Sequence, residues 1–141
     1  MNMNKAIGIN NQGECIEYPI KNGKLYCSNR NLISLEIPIG VKEVHCSNNK
    51  LTELLLPDTV DTVSCSNNNL TELIIPESVK EVSCDNNKLT KLNIPEGVKM
   101  VSCYNNLLTE LILPDTVKQV YCDREVKGLD NLIGNNNINL Y

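Results

Sequence analysis

The chain contains no phenylalanine and no tryptophan, and only five tyrosines and one histidine in 141 residues. A globule organised around large aromatic side chains is therefore excluded. The core must be built from Leu, Ile, Val and Cys, which suits stacked strands. Long apolar runs are missing too: nothing approaches the roughly 20 residues of a membrane-spanning helix. The opening stretch MNMNKAIGIN lacks the charged region, apolar run and small-residue cleavage site of a signal peptide. Neither sign of charge accumulates in blocks, and 13 Lys+Arg against 17 Asp+Glu give a net charge of −4. No basic face for nucleic acid follows from such a balance. There is no glycine-rich phosphate loop, no nucleophile-elbow serine and no CxxC pair, so a catalytic centre, a cofactor and a metal site are not expected. The chain reads as a single intracellular domain without enzyme activity, with neither nucleic acid nor membrane as a partner.

What the sequence has is a period. Six of its seven cysteines, Cys27, Cys46, Cys65, Cys84, Cys103 and Cys122, stand 19 residues apart. The surrounding phrase returns almost unchanged as VKEVHCSNNKLTELLLPDT from Val41, VDTVSCSNNNLTELIIPES from Val60, VKEVSCDNNKLTKLNIPEG from Val79 and VKMVSCYNNLLTELILPDT from Val98. A repeat this short is one turn of a solenoid, able to bury its apolar side only against its neighbours. With Val41 as position 1, Val44 and Cys46 at positions 4 and 6 alternate with outward-facing residues as in a strand. Leu51, Leu54 and Leu56 at positions 11, 14 and 16 form the returning half, and Pro57 closes it, where extended chain or a turn tolerates proline and a helix does not.

The pattern VxxVxCxxNxL resembles the LxxLxLxxNxL consensus of leucine-rich repeats over Leu25 to Cys122. Its 19-residue length and trailing proline are similar to the short repeats of bacterial secreted effectors, and the CSNNxLT phrase resembles repeats in giant viruses of protists. IPESVKEV and IPEGVKMV also resemble FNIP-type repeats, without their Phe-Asn centre. The resemblance implies a curved β-rich solenoid with a parallel sheet on its concave side, used mainly to bind proteins. A host factor is the implied partner, and host cytoplasm the implied setting, if the viral or effector likeness holds.

Nineteen residues leave little space for a helix about 10–12 Å across, so the convex side should be extended. Stacked at nearly strand spacing, roughly 4.8 Å, front and back would grow at similar rates and give a gently curved rod. Residues 1–24 are expected to form an N-terminal cap with a partial coil, 25–122 the array and 123–141 a degenerate C-terminal cap. Either NNQG or Asn22-Gly23 could make the turn of an N-terminal hairpin. Should Leu129, Leu132, Ile133 and Ile138 fail to turn inward, the exposed end would favour a homodimer.

Asn49, Asn68, Asn87 and Asn106 at position 9 read as a structural ladder, each amide satisfying backbone groups of its own and the adjoining coil. The preceding file, Asn29 to Asn105, reads as turn residues, with a polar ladder for carbohydrate or peptide backbone as the alternative. The six periodic cysteines read as reduced core thiols. Strand spacing is too wide for bridges between successive Cβ atoms, and a linear file does not converge on a metal. Positions 3, 5 and 7 should face outward from the sheet and vary from coil to coil. Met100, Tyr104, Tyr121 and Arg124 are the candidate anchors for a protein ligand, with Tyr26, His45, Glu43 and Asp85 on the same face. A merely solvated sheet is the competing reading.

Overall fold

The computed structural model describes residues 4–129 and 137–140, and among them no helix occurs. The chain winds into a β-solenoid of 19-residue coils, numbered here from Asn22 (coil 1), Val41, Val60, Val79, Val98 and Val117 (coil 6). Its front is a seven-stranded parallel sheet in the order β10-β9-β8-β7-β6-β5-β3. The strands are β3 (Lys24–Tyr26), β5 (Glu43–His45), β6 (Thr62–Ser64), β7 (Glu81–Ser83), β8 (Met100–Ser102), β9 (Gln119–Cys122) and β10 (Asn137–Leu140). The register steps by one repeat, Val44 opposite Val63, Val63 opposite Val82 and Val82 opposite Val101.

Alternation along each strand determines what is buried. The position-4 valines and position-6 cysteines form two inward files that are 0–1% exposed. Leu51, Leu70 and Leu89 complete the coil interior at 0%. Burying each such side chain stabilises by about 1.5–3 kcal/mol, and all of that gain comes from adjoining coils.

The chain must leave the sheet sharply after each strand, and asparagine supplies the backbone for it. Asn29, Asn48, Asn67, Asn86 and Asn105 at position 8 all have φ between 54° and 60°. This left-handed conformation is costly for most side chains and least so for Gly, Asn and Asp. At the other corner Pro57, Pro76, Pro95 and Pro114 each accept a hydrogen bond from the valine three residues on, which opens the next coil.

The back is extended and non-helical, as expected. In coils 2, 3 and 4 residues 52–56, 71–75 and 90–94 make no backbone–backbone hydrogen bond. The front, by contrast, is bonded coil to coil from position 2 through position 8 and again at position 10. Backbone bonding between these coils is thus concentrated on the sheet side.

Both candidate N-terminal turns form, in series. Strands β1 (Lys5–Asn10) and β2 (Cys15–Pro19) make an antiparallel hairpin whose connection is ordered by Asn10, its Oδ1 accepting from the amides of Gln12 and Glu14, each at 3.0 Å. Asn22 and Gly23 then turn the chain into β3 with φ of 53° and 75°, closed by mutual Lys21–Lys24 backbone bonds of 3.0 Å. The hairpin also pairs β1 with β4 (Leu32–Glu36), the back of coil 1. Gly8 permits that contact, because a Cβ there would lie 2.8 Å from Leu32 Cδ2 and 2.9 Å from Tyr18 Cε2.

At the other end β10 adds a seventh strand in parallel to β9, which the sequence did not suggest. Val126 is buried one place before position 11, and Lys127 instead bridges Glu110 on the back of coil 5. Leu129 packs against the core. Leu132, Ile133 and the side chain of Ile138 lie outside the described residues.

Candidate binding face

Each position-9 asparagine stitches two coils. Asn68 Nδ2 donates to the carbonyls of Cys46 and Cys65 at 3.1 and 3.0 Å, while its Oδ1 accepts from the amide of Leu51 at 3.0 Å. Asn49, Asn87 and Asn106 repeat this pattern one coil to either side and beyond. Coil 6 has Glu125 at this place. There Asp123 at position 7 makes a different link, its Oδ1 accepting from the Asn105 amide at 2.9 Å.

With the backbone satisfied, side chains at positions 3, 5 and 7 populate the sheet face in two separated groups. Toward the N-terminal end, Tyr26 is 58% exposed and stacks on His45, ring centroids 4.8 Å apart and planes within 7°. Glu43 receives Lys24 Nζ at 3.0 Å on one oxygen and faces His45 Nε2 at 3.6 Å with the other. The Lys24 hydrogen bond holds the Glu43 carboxyl below its usual range and raises Lys24 in turn.

Toward the C-terminal end, Met100 on β8 and Tyr121 on β9 are half-buried, and the Gln119 amide donates to the Tyr121 hydroxyl. Register puts Met100 beside Gln119 and Ser102 beside Tyr121. Tyr104, also half-buried, follows β8, and exposed Arg124 follows β9 at the rim of a depression lined by Asn106, Leu108, Asp123 and Glu125. β6 and β7 separate the two groups, so β5 and β8 are three strand steps apart, about 14 Å.

Asp85 does not stand out from the sheet as expected at position 7. It is 8% exposed, and its Oδ1 accepts from the Ser102 hydroxyl at 2.6 Å and the Tyr104 amide at 3.1 Å while Oδ2 accepts from Ser66 at 3.3 Å. Burial pushes its carboxyl up, opposed by these hydrogen bonds. A carboxylate with two acceptor oxygens is long enough to reach the coils on both sides, so it folds down onto the sheet and brings Ser102 into cover with it.

The periodic thiols are buried and free, and Cys15 is the exposed one. Desolvation pushes Cys27 and Cys65 up to about 12 and Cys122 to about 11, which keeps them protonated and poorly nucleophilic. Among the described residues no three His, Cys, Asp or Glu side chains are grouped to hold a metal ion, and no helix is long and apolar enough to cross a membrane.

Sequence reasoning missed one surface altogether. Leu55, Ile74 and Ile112 at position 15 point outward from the back. The signal was available in LLLP, LIIP and LILP: extended chain cannot turn three successive aliphatic residues to one side.

No family model matches the chain, and no curated protein matches it. Among seven matching chains of known structure is the leucine-rich-repeat domain of a Shigella effector. It superposes with a TM-score of 0.70 at 26% identity, over 73% of this chain and 50% of that one. The chain thus spans about half the length of this neighbour and is similar to it in fold.

Proposed function

We propose that this short leucine-rich-repeat solenoid is a non-catalytic interaction module, without cofactor, whose sheet face engages a protein ligand, with a host factor as the candidate. One observation carries the reading. Positions 4 and 6 hardly change from coil to coil and position 9 is Asn throughout coils 2 to 5, whereas positions 3, 5 and 7 vary and gather Met100, Tyr104 and Tyr121 at one end, with Arg124 beside them at position 8. Tyr, Met and Arg offer large contact areas and are enriched at interface centres. The Shigella effector neighbour supports protein binding as the class of function, and a reducing cytoplasm suits six buried free thiols. Tyr26, His45 and Glu43 form a second contact region on the same face. The test is a quantitative pull-down from eukaryotic lysate with the native chain beside a folded Tyr104→Ala, Tyr121→Ala variant. A protein enriched by the native chain alone supports the proposal; identical recoveries remove the C-terminal anchor site.

A second reading rests on the sheet's ends, where β3 and β10 have one strand neighbour each. Strand edges of this kind can pair with another copy, making the array a self-associating spacer. A mass that rises with concentration, unaffected by the tyrosine substitutions, would favour it.

A further inference from the structure

Leu55, Ile74 and Ile112 are 74%, 68% and 70% exposed on the back of the solenoid. The fold does not demand aliphatic side chains there. Coils 1 and 4 carry Glu36 and Asn93 at the same place, and the inward packing is done by positions 14 and 16. Scattered exposed aliphatic residues are ordinary, but here they recur as a file, from Leu55 and Ile74 on successive coils to Ile112 two coils on, interrupted by exposed Asn93. It overlies shallow grooves between successive coil backs, framed in turn by Leu55 with Ile74, Ile74 with Ile94, and Ile94 with Ile112.

Charge on the returning segments themselves is almost of one sign, while exposed lysines, Lys42, Lys80, Lys99 and Lys118, stand beyond them at position 2. Position 18 is acidic and exposed in each of coils 2 to 5, from Asp58 to Asp115, and position 13 is acidic in three of those four, Lys91 being the exception. None of these carboxylates forms an ion pair among the described residues. A second copy laid back to back would oppose acid with acid. The complementary occupant carries aliphatic side chains flanked on both sides by Lys or Arg.

We infer that the back of the solenoid is a second docking surface, for a basic amphipathic helix lying along the solenoid axis. A helical turn rises about 5.4 Å, close to the step of about 4.8 Å at which the coils repeat along the sheet. Aliphatic residues at i, i+4 and i+7 therefore meet one groove per turn, and the acidic flanks lie against basic residues on either side of that stripe.

The probe is a fluorescein-labelled helical peptide of roughly 15 residues, about 22 Å long, with leucines at that spacing and lysines flanking them. Its anisotropy is followed with the native chain, with Leu55→Ser/Ile74→Ser/Ile112→Ser, and with Tyr104→Ala/Tyr121→Ala. The expected result is binding to the native chain, a loss of about tenfold or more with the serine variant, and no change with the tyrosine variant. A matched peptide with glutamate for lysine should not bind. The inference fails if the peptide is not bound at about 100 µM, or if the serine variant binds it equally, since attraction is then only net charge. A native dimer that the serine substitutions dissociate would also overturn it, identifying a second copy as the occupant. The three back residues are exposed and the two tyrosines half-buried, and unchanged thermal midpoints verify folding of both variants. Failure of the sheet-face proposal, which depends on Tyr104 and Tyr121, would leave this result untouched.

Discussion

The two sides of the solenoid use the same repeat in opposite ways. On the sheet side, every coil is bonded to the next through backbone ladders, coils 1 to 5 also through an asparagine, and many outward positions are small and polar. On the back, residues 52–56, 71–75 and 90–94 make no backbone bond, yet the outward residues include Leu55 and Ile74. Cohesion between coils is therefore concentrated at the front and in the interior, while the back is exposed surface that the fold does not need. In a structure whose stability is a sum of nearest-neighbour terms, that asymmetry has measurable consequences.

The largest concerns the thiols that line the inner side of the sheet. An unfolded chain loses thiol protons from about pH 8.5, whereas Cys27 and Cys65 hold theirs to about 12 and Cys122 to about 11. Between those values the folded state binds more protons than the unfolded one, so stability is fully present below about pH 8.5 and falls as pH rises. Each fully differential thiol contributes about 1.4 kcal/mol per pH unit. Together they should remove more than about 5 kcal/mol by pH 10, enough to unfold a marginally stable domain. Urea midpoints measured from pH 7 upward should fall steeply, and Cys65→Ala with Cys84→Ala should flatten the fall.

Next in size is the amide stitch. Asn68→Ala strands the Leu51 amide and removes one of the two amide donors on each of the Cys46 and Cys65 carbonyls, which keep Asn49 and Asn87, and should cost about 3 kcal/mol by urea denaturation. Gly128→Ala tests the C-terminal coil, which has no such stitch. The residue sits at φ 93°, and a Cβ would lie 2.7 Å from the Leu111 carbonyl oxygen. A loss of about 2 kcal/mol is expected, seen first as faster amide exchange at Leu111. The smallest effect belongs to the back: Ile74→Ser should move the urea midpoint by no more than about 0.5 kcal/mol. A large loss there would abolish the distinction between the two sides.

Most of the front was legible because periodicity reports burial directly. The spacing of Val44, Cys46 and Leu51 is repeated often enough that one misread residue would not change the architecture. Asn49 and Asn68 were legible as structural for a similar reason, since an amide with both donor and acceptor recurs where the chain leaves a strand. The position-8 asparagines were legible as turn residues, but not the backbone conformation by which they turn, which composition does not distinguish from hydrogen bonding. Asp85 was misplaced because the alternation rule gives the direction of the Cα–Cβ bond and not the path of the rest of the side chain, which bends back to Ser102 and Tyr104. The back was legible as extended and non-helical, but not the direction of its side chains, because in coils 2 to 4 its segments have no backbone partner. Without a ladder to fix the period, the outward turn of Leu55 depends on local chain direction alone, and the strand partners of coil 1 and coil 6 come from residues outside the repeat.

Hydrogen exchange on the native chain measures the asymmetry most directly. The amides of Leu51, Leu70 and Leu89 are held by Asn68, Asn87 and Asn106, so they should exchange only through global opening. Those of Leu55, Ile74 and Asn93, without backbone partners, should exchange orders of magnitude faster. Equal protection in the two sets would contradict the account, because it would mean that the back, too, is bonded from coil to coil.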